Sequence, residues 1–333
     1  MTENMRMDDR FGRKIEYMRI SVTDRCNLRC RYCMPEGVPL SAMEELLTFE
    51  EIAETARIGA SLGIRFIKLT GGEPLIRRGL PSLVRMLKET EGIEKVTLTT
   101  NGTLLEKHLD SLVRAGLDAV NISLDTMDPE AYRQITGTDA YEAVLSAIDA
   151  ATHAGLYTKV NAVSLAAGEE KEAWRDLAEL TKDRPLCVRF IELMPIGCGR
   201  DFAGISHREL LGRMHETWPD LQADPFPHGF GPAVYYRIPG YRGSIGLISA
   251  IHGKFCDSCN RVRLTSKGFL KPCLCYAEGA DLREILRAPL PEEEREELLR
   301  AKMRETIFDK PKAHCFEEVP SVTERALMSA FGG

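Results

Sequence analysis

Apolar runs rich in β-branched residues alternate with amphipathic stretches from Tyr17 to about Leu193. The runs Tyr17–Val22, Arg65–Leu69, Lys95–Thr99, Asp118–Leu124, Tyr157–Ser164 and Leu186–Leu193 have the length and composition of strands. The stretches between them show helical periodicity. Two of these open on capping boxes, Thr48 with Glu51 and Thr103 with Glu106. Strand–helix alternation predicts βαβ units and a parallel sheet. Six such units are fewer than the eight of a closed barrel, so the pattern predicts an α/β fold built on a partial, open (β/α)6 TIM-like barrel. After Met194 the alternation breaks. Ser206 with Glu209 marks a further helix start, Pro219 to Gly246 is Pro- and Gly-rich with short strands, and helices close the chain. The predicted boundaries are an N-terminal extension over 1–16, the barrel over 17–218 and a C-terminal α+β region over 219–333. The acidic run Glu292–Glu297 reads as a solvated helix face.

Strands of a parallel sheet are covered on both faces and should be nearly all apolar. The exceptions share a parity: Lys68 and Thr70, Thr97 and Thr99, Asn121, Ser123 and Asp125, and Lys159 and Asn161. Period-two spacing puts each set on one face. Burying an unpaired polar group costs roughly 2–7 kcal/mol. That face is therefore wet or filled by a polar ligand, unless its groups satisfy one another in a dry core. In β/α barrels such residues line the site at the C-terminal ends of the strands, which makes the lumen the candidate site.

Composition narrows the classes. The 333 residues are 44% hydrophobic, and 44 Lys plus Arg against 50 Asp plus Glu give a formal charge of −6, which argues against nonspecific nucleic-acid binding. No uncharged apolar stretch is long enough for a bilayer, and the charged Met1–Arg19 segment lacks the apolar core of a secretory signal. A soluble, cytoplasmic protein is expected. Six of its ten cysteines form two groups, Cys26, Cys30, Cys33 and Cys256, Cys259, Cys273, with Cys187, Cys198, Cys275 and Cys315 left over. Clustered thiols in a reducing compartment point to metal. Three thiolates on the Cys26–Cys33 loop can ligate three irons of a [4Fe–4S] cluster and leave the fourth iron open. Structural zinc needs a fourth ligand; no His lies near the first group, and Cys275 offers one poorly spaced for the second. Arg261 and Arg263 fall on one face of an extended segment just after Cys259. Their guanidinium forks suit phosphate oxygens, with solvated surface arginines as the alternative.

Cys26-x-x-x-Cys30-x-Tyr32-Cys33, with Gly71-Gly72-Glu73-Pro74 one strand later, resembles the signature of the radical S-adenosylmethionine superfamily. Further pieces are Arg19-Ile-Ser-Val-Thr-Asp-Arg, Thr99-Thr-Asn-Gly, Asn121-Ile-Ser-Leu-Asp, Lys159-Val-Asn, Leu193-Met-Pro, Cys256-Asp-Ser-Cys-Asn-Arg-Val-Arg-Leu-Thr and the terminal Gly332-Gly333. The combination resembles the GTP 3′,8-cyclase family of molybdenum cofactor biosynthesis. That resemblance implies a [4Fe–4S] cluster I on Cys26, Cys30 and Cys33, and S-adenosylmethionine held by Tyr32, Gly72, Ser123 and Met194. It implies a [4Fe–4S] cluster II on Cys256, Cys259 and Cys273, whose open iron holds the guanine of GTP. Arg19, Lys68, Thr99, Lys159, Arg189, Arg261, Val262 and Arg263 would contact GTP, with S-adenosylmethionine the alternative ligand of Thr99 or its neighbour Thr100. Lys68 stands where the family usually has arginine. Hydrogen abstraction from the ribose 3′ carbon and attack on guanine C8 would give 3′,8-cyclo-7,8-dihydro-GTP, with the Gly332-Gly333 tail supporting catalysis. A homodimer, an electron donor such as flavodoxin or ferredoxin, and product hand-off to the cyclic pyranopterin monophosphate synthase are implied as well. The rival readings are a peptide-modifying radical enzyme with an auxiliary cluster, and a non-catalytic iron–sulfur or zinc protein.

Overall fold

All six predicted runs form strands, each ending within about one residue of the expected position: β1 (Tyr17–Ser21), β2 (Phe66–Thr70), β3 (Lys95–Thr100), β4 (Ala119–Ser123), β5 (Tyr157–Ser164) and β6 (Cys187–Glu192). The computed structural model describes residues 8–35, 38, 40–166 and 172–332. Helices α1 (Phe49–Ser61), α2 (Leu80–Lys88), α3 (Leu105–Arg114), α4 (Pro129–Thr136), α5 (Tyr141–His153) and α6 (Ala173–Asp183) fill the connections. The strand residues of apolar parity, among them Ile20, Ile67, Leu69, Leu98, Val120, Ile122, Val160 and Val188, are buried with Ile52, Leu83, Leu112, Val144 and Leu177 of the helices. Each such burial contributes about 1.5–3 kcal/mol, which sets the register and leaves the opposite parity facing inward.

The helix starts differ from expectation at one place. Thr48 and Glu51 form the reciprocal capping box of α1, and Ser206 accepts from the Glu209 amide at the start of α7 (His207–Thr217). Thr103 does not cap α3. Its hydroxyl donates to Asn101 and accepts from Asn27, while Glu106 accepts from Ser146. The loop carrying the first cysteines competes for that hydroxyl and wins.

Sequence counting also falls short on the sheet. The C-terminal part adds β7 (Gln222–Ala223), β8 (Val234–Arg237), β9 (Ser244–Ile248), β10 (Arg261–Leu264), β11 (Phe269–Lys271) and β12 (Ala280–Asp281). The single sheet runs β12-β11-β10-β1-β2-β3-β4-β5-β6-β9-β8-β7. β10 pairs parallel with β1 and β9 parallel with β6, so eight consecutive strands are parallel rather than six. The two added strands come from distant sequence with no βα alternation to announce them. The array curls: Lys68 on β2 feels the charge of Arg189 on β6, and Phe66 at the start of β2 stacks on Phe230 of the β7–β8 loop. Helices α8 (Arg283–Leu286), α9 (Glu292–Phe308) and α10 (Met328–Phe331) follow. The acidic run on α9 is not wholly a solvated face, because Glu296 pairs with Arg57 of α1. Among the described residues, no helix is long and apolar enough to cross a membrane.

Candidate active site

The polar parity predicted from sequence lines the interior in staggered rows. Lys68 is in register with Arg19 and Thr97, Asn121 with Thr99 and Lys159, and Asn161 with Ser123 and Arg189. Some of these groups satisfy one another: Asn121 donates to Thr99 at 3.2 Å, and Arg189 donates twice to the Asn161 carbonyl oxygen at 3.0 and 2.6 Å. The cations are a different matter. Burial, then Arg189, Arg19, Lys159 and Arg261, push the Lys68 ammonium well below the usual lysine range. Burial and Arg189 push Lys159 down to about 7, and burial with neighbouring cations pushes Arg19 to about 10 and Arg263 well down. Three carboxylates on the neighbouring strands and loops are engaged elsewhere. Glu73 accepts from Thr100 and the amides of Leu75 and Asn101; Glu192 accepts from the amides of His207, Ile251 and His252; Asp125 accepts from Tyr32 and the Val163 amide. A concentrated positive charge in a net acidic protein is a site for an anion.

Above this cationic floor opens a cavity of about 300 Å³. Cys26, Cys30 and Cys33 line it from one side and Cys256, Cys259 and Cys273 from the other. Tyr32, Gly72, Thr99, Thr100, Ser123, Met194, Arg19, Arg261 and Arg263 also line it. Lys68, Lys159 and Arg189 lie deeper on the same strand face. Val262 turns its side chain the other way. Its side chain is buried in the hydrophobic core, so only its backbone is available to a ligand in the lumen. The lumen is closed below by the β7–β8 loop, whose His228 carbonyl accepts from the Lys159 ammonium.

The first cysteine loop is held by the glycine-rich turn. Gly72 donates to the Thr23 carbonyl and Glu73 to that of Arg25, both at 2.7 Å. A β-carbon on Gly72 would stand 2.2 Å from the Arg25 oxygen, so the close approach requires glycine. Asn101, tied to Glu73 through its amide, donates to Asn27 and reaches the Cys26 sulfur. Burial raises the Cys26 thiol, lifts Cys30 well above its usual range and pushes Cys33 up to about 12; the charge of Glu73 adds to the rise at Cys26, and neighbouring thiols add to it at Cys30 and Cys33. The thiols feel one another's charge on one loop, as ligands of a shared cluster must. Among the described residues, no three Cys, His, Asp or Glu side chains close to the spacing that a single metal ion needs. Cluster thiolates bind different irons, and three thiols gathered on one short loop are the donor set that such a cluster takes.

In the second group, burial raises the Cys259 thiol, but Arg261 and Lys310 outweigh it and bring the thiol down to about 6. Lys310 also donates to the carbonyls of Arg261 and Pro272. No sequence motif marks Lys310, which arrives from the far end of α9. Cys275 is buried in a separate apolar cluster with Ile196, Phe316 and Phe331, its sulfur 3.4 Å from that of Cys315. It takes no place in the cavity wall. Cys187 meets Tyr157 and His228 at the floor, and Cys198 lies near Cys33. The carbonyl of Gly332 accepts from Arg19 and from Arg263, each at 3.1 Å, so the tail enters the cavity. Gly333 lies outside the described residues.

The profile of the Radical SAM superfamily matches residues 20–181, and that of Molybdenum Cofactor Synthesis C matches residues 186–316. The chain is 44% identical over 333 residues to the GTP 3′,8-cyclase of Moorella thermoacetica, covering 98% of this chain and 100% of that protein. The chain belongs to the GTP 3′,8-cyclase family. Within this family, the GTP 3′,8-cyclase of Heliobacterium modesticaldum is 44% identical over 332 residues and that of Clostridium perfringens 38% identical over 328, each with 98% of this chain and 100% of the relative covered. Among solved structures, Streptococcus suis SuiB bound to S-adenosylmethionine superposes with a TM-score of 0.63 over 95% of this chain and 78% of that one. At 13% identity, that likeness shows the fold alone. As a radical SAM protein, the chain has a [4Fe–4S] cluster and S-adenosylmethionine as cofactors, and Cys26, Cys30 and Cys33 fit the cluster.

Proposed function

We propose that this protein converts GTP to 3′,8-cyclo-7,8-dihydro-GTP, the first step of molybdenum cofactor biosynthesis. The observation that carries the reading is six inward cations, Arg19, Lys68, Lys159, Arg189, Arg261 and Arg263, gathered between two groups of three cysteines that line one cavity. A triphosphate neutralises that charge; a peptide substrate would leave much of it uncompensated. In this reading Cys256, Cys259 and Cys273 hold a second [4Fe–4S] cluster that anchors the guanine, with the thiol of Cys259 already inclined to ionise. When bound, the first cluster and S-adenosylmethionine supply the one-electron chemistry that removes a hydrogen atom from the substrate ribose.

The residues of the chain do the rest. Tyr32, Gly72, Ser123 and Met194 hold S-adenosylmethionine over the first loop, with Asp125 fixing the Tyr32 phenol at 2.6 Å. The deep cations draw the phosphates toward the floor, which aims the ribose and guanine up toward the cysteines; Thr99 joins the nucleotide contacts. The lumen walls keep water and stray hydrogen donors from the reacting carbon. Gly332, held by Arg19 and Arg263, places the tail against the reacting groups. The barrel over 17–218 thus carries the radical source and the region over 219–333 the substrate anchor. The proposal also includes a cytoplasmic homodimer, a flavodoxin or ferredoxin as donor, and product hand-off to the cyclic pyranopterin monophosphate synthase.

Oxygen-free incubation of the reconstituted protein with reductant, S-adenosylmethionine and GTP tests the reading. Formation of 5′-deoxyadenosine should depend on GTP and match the cyclised product in amount. Cleavage that ignores GTP, or that responds to a peptide instead, would overturn it.

A further inference from the structure

The sequence assigns no chemistry to the residues ahead of β1. In the structure they fold into a tight turn, with Asp8 bridged to Lys14 and Gly12 at a φ of 77°. The Asp9 carboxylate accepts from the amides of Phe11 and Arg13, both at 2.9 Å, and pairs with the Arg13 side chain at 2.6 Å. That arrangement fixes the Arg13 side chain, which is only 6% exposed. From there Arg13 Nη1 donates to the carbonyl oxygens of Cys256 at 2.8 Å and Lys312 at 2.9 Å. Nη2 donates to those of Pro311 at 2.7 Å and Lys310 at 3.4 Å.

These acceptors belong to two segments that sequence keeps apart. One is the loop carrying Cys256 and Cys259; the other follows α9 and contains Lys310, whose ammonium binds the carbonyls of Arg261 and Pro272, the neighbour of Cys273. Arg13 therefore stands at the junction through which Cys256 is held in place relative to Cys273. A buried guanidinium suits the task because its donors fan out in a rigid plane and can satisfy several carbonyls at once. An ammonium radiates its donors from one point and cannot span the same set.

We infer that Arg13 is a positioning residue for the second cysteine group, setting Cys256 and Cys259 at the separation from Cys273 that one shared cluster needs. The inference rests on the proposed reading of those three cysteines as iron ligands. It extends that reading to an N-terminal staple that touches neither iron nor substrate.

The test uses the full chain, purified and reconstituted without oxygen, as wild type, Arg13→Lys, Arg13→Ala and Asp9→Asn. Iron and acid-labile sulfide per chain, S-adenosylmethionine binding, GTP binding and the thermal transition are measured for each. The wild type should hold about eight irons per chain. Both Arg13 variants should fall toward about four while binding S-adenosylmethionine within about twofold of wild type and GTP at least about tenfold more weakly. Asp9→Asn, which keeps the guanidinium but loosens its anchor, should fall between. If Arg13→Ala loses both clusters and its folded transition, Arg13→Lys decides, because it retains the charge and much of the buried stem. Arg13→Lys with wild-type iron and GTP affinity would overturn the inference. A wild type holding only about four irons would instead overturn the reading of the second group on which it rests.

Discussion

A β-carbon on Gly332 would stand 2.0 Å from the Cγ2 atom of Thr70. Gly332 also has a φ of 74°, and its carbonyl is held by two arginines, so it threads between β2 and the cations as only glycine can. Gly332→Ala should displace the tail without removing any group that the proposal assigns to either small molecule. The expected result is a kcat at least about tenfold lower, roughly 1.4 kcal/mol in barrier, with both affinities within about threefold of wild type. Equilibrium binding beside single-turnover product analysis checks this, and an unchanged kcat would remove the tail from the mechanism.

Gly72→Ala tests how the cysteine loop is held. The added carbon would meet the Arg25 carbonyl at 2.2 Å, and the two backbone bonds from Gly72 and Glu73 to that stretch would have to stretch or break. Iron bound to the first group and S-adenosylmethionine cleavage should both fall, while the overall fold, measured by circular dichroism, should persist. Wild-type iron in Gly72→Ala would show that the turn does not position the loop.

Replacing Cys256 or Cys259 by alanine should separate the two halves of the reaction. About half of the iron should be lost and some S-adenosylmethionine cleavage should remain, now uncoupled from GTP, with no cyclised product. Product formed at a wild-type rate would contradict the role proposed for that group.

The buried lysines make GTP binding pH-dependent in a definite direction. Burial and Arg189 hold Lys159 to about 7 in the empty protein, and burial with surrounding cations holds Lys68 lower than its usual range. A bound triphosphate stabilises the charged form, so binding takes up protons above pH 7 and affinity falls as pH rises further. Below that point Lys159 is already charged. The terminal phosphate then begins to lose its second negative charge near a pKa of about 6, which weakens binding on the acid side. Calorimetry at pH 8 in buffers of different ionisation enthalpy should show net proton uptake, reduced in Lys159→Gln and reduced again when Lys68→Gln is added. No uptake would place the phosphates away from these residues.

The empty site also costs stability by the same linkage. A lysine whose folded pKa is depressed binds fewer protons folded than unfolded between about 7 and its ordinary value of about 10.4, so stability from Lys159 rises with pH across that window. GTP should therefore raise the melting temperature more at pH 7 than at pH 9, a comparison that thermal denaturation makes directly.

Strand positions and inward parity were legible in the chain because burial on two faces tolerates few polar residues, and Lys68, Thr99, Asn121 and Lys159 stand out against that background. The cysteine groups were legible for a similar reason: three thiols within eight residues, as at Cys26–Cys33, are rare unless something binds them, and Cys256 and Cys259 repeat the close spacing. Thr103 misled because an N-cap signature cannot tell that Asn27 and Asn101 compete for the same hydroxyl. Val262 shows what a motif written as a run of letters leaves out, namely which of its side chains a strand turns away from the lumen.

By itself, then, the sequence determined the alternation of strands and helices, the polar face and the chemistry of the thiols, all properties of residues near one another in the chain. Only the tertiary structure decided that β10 and β9 flank the six-strand array, that the two cysteine groups look into one cavity, and that Arg13 and Lys310 brace the second of them. Those are contacts between segments up to 299 positions apart. They are set by how the curled sheet and its buried carbonyls find partners, and no local pattern encodes that closure.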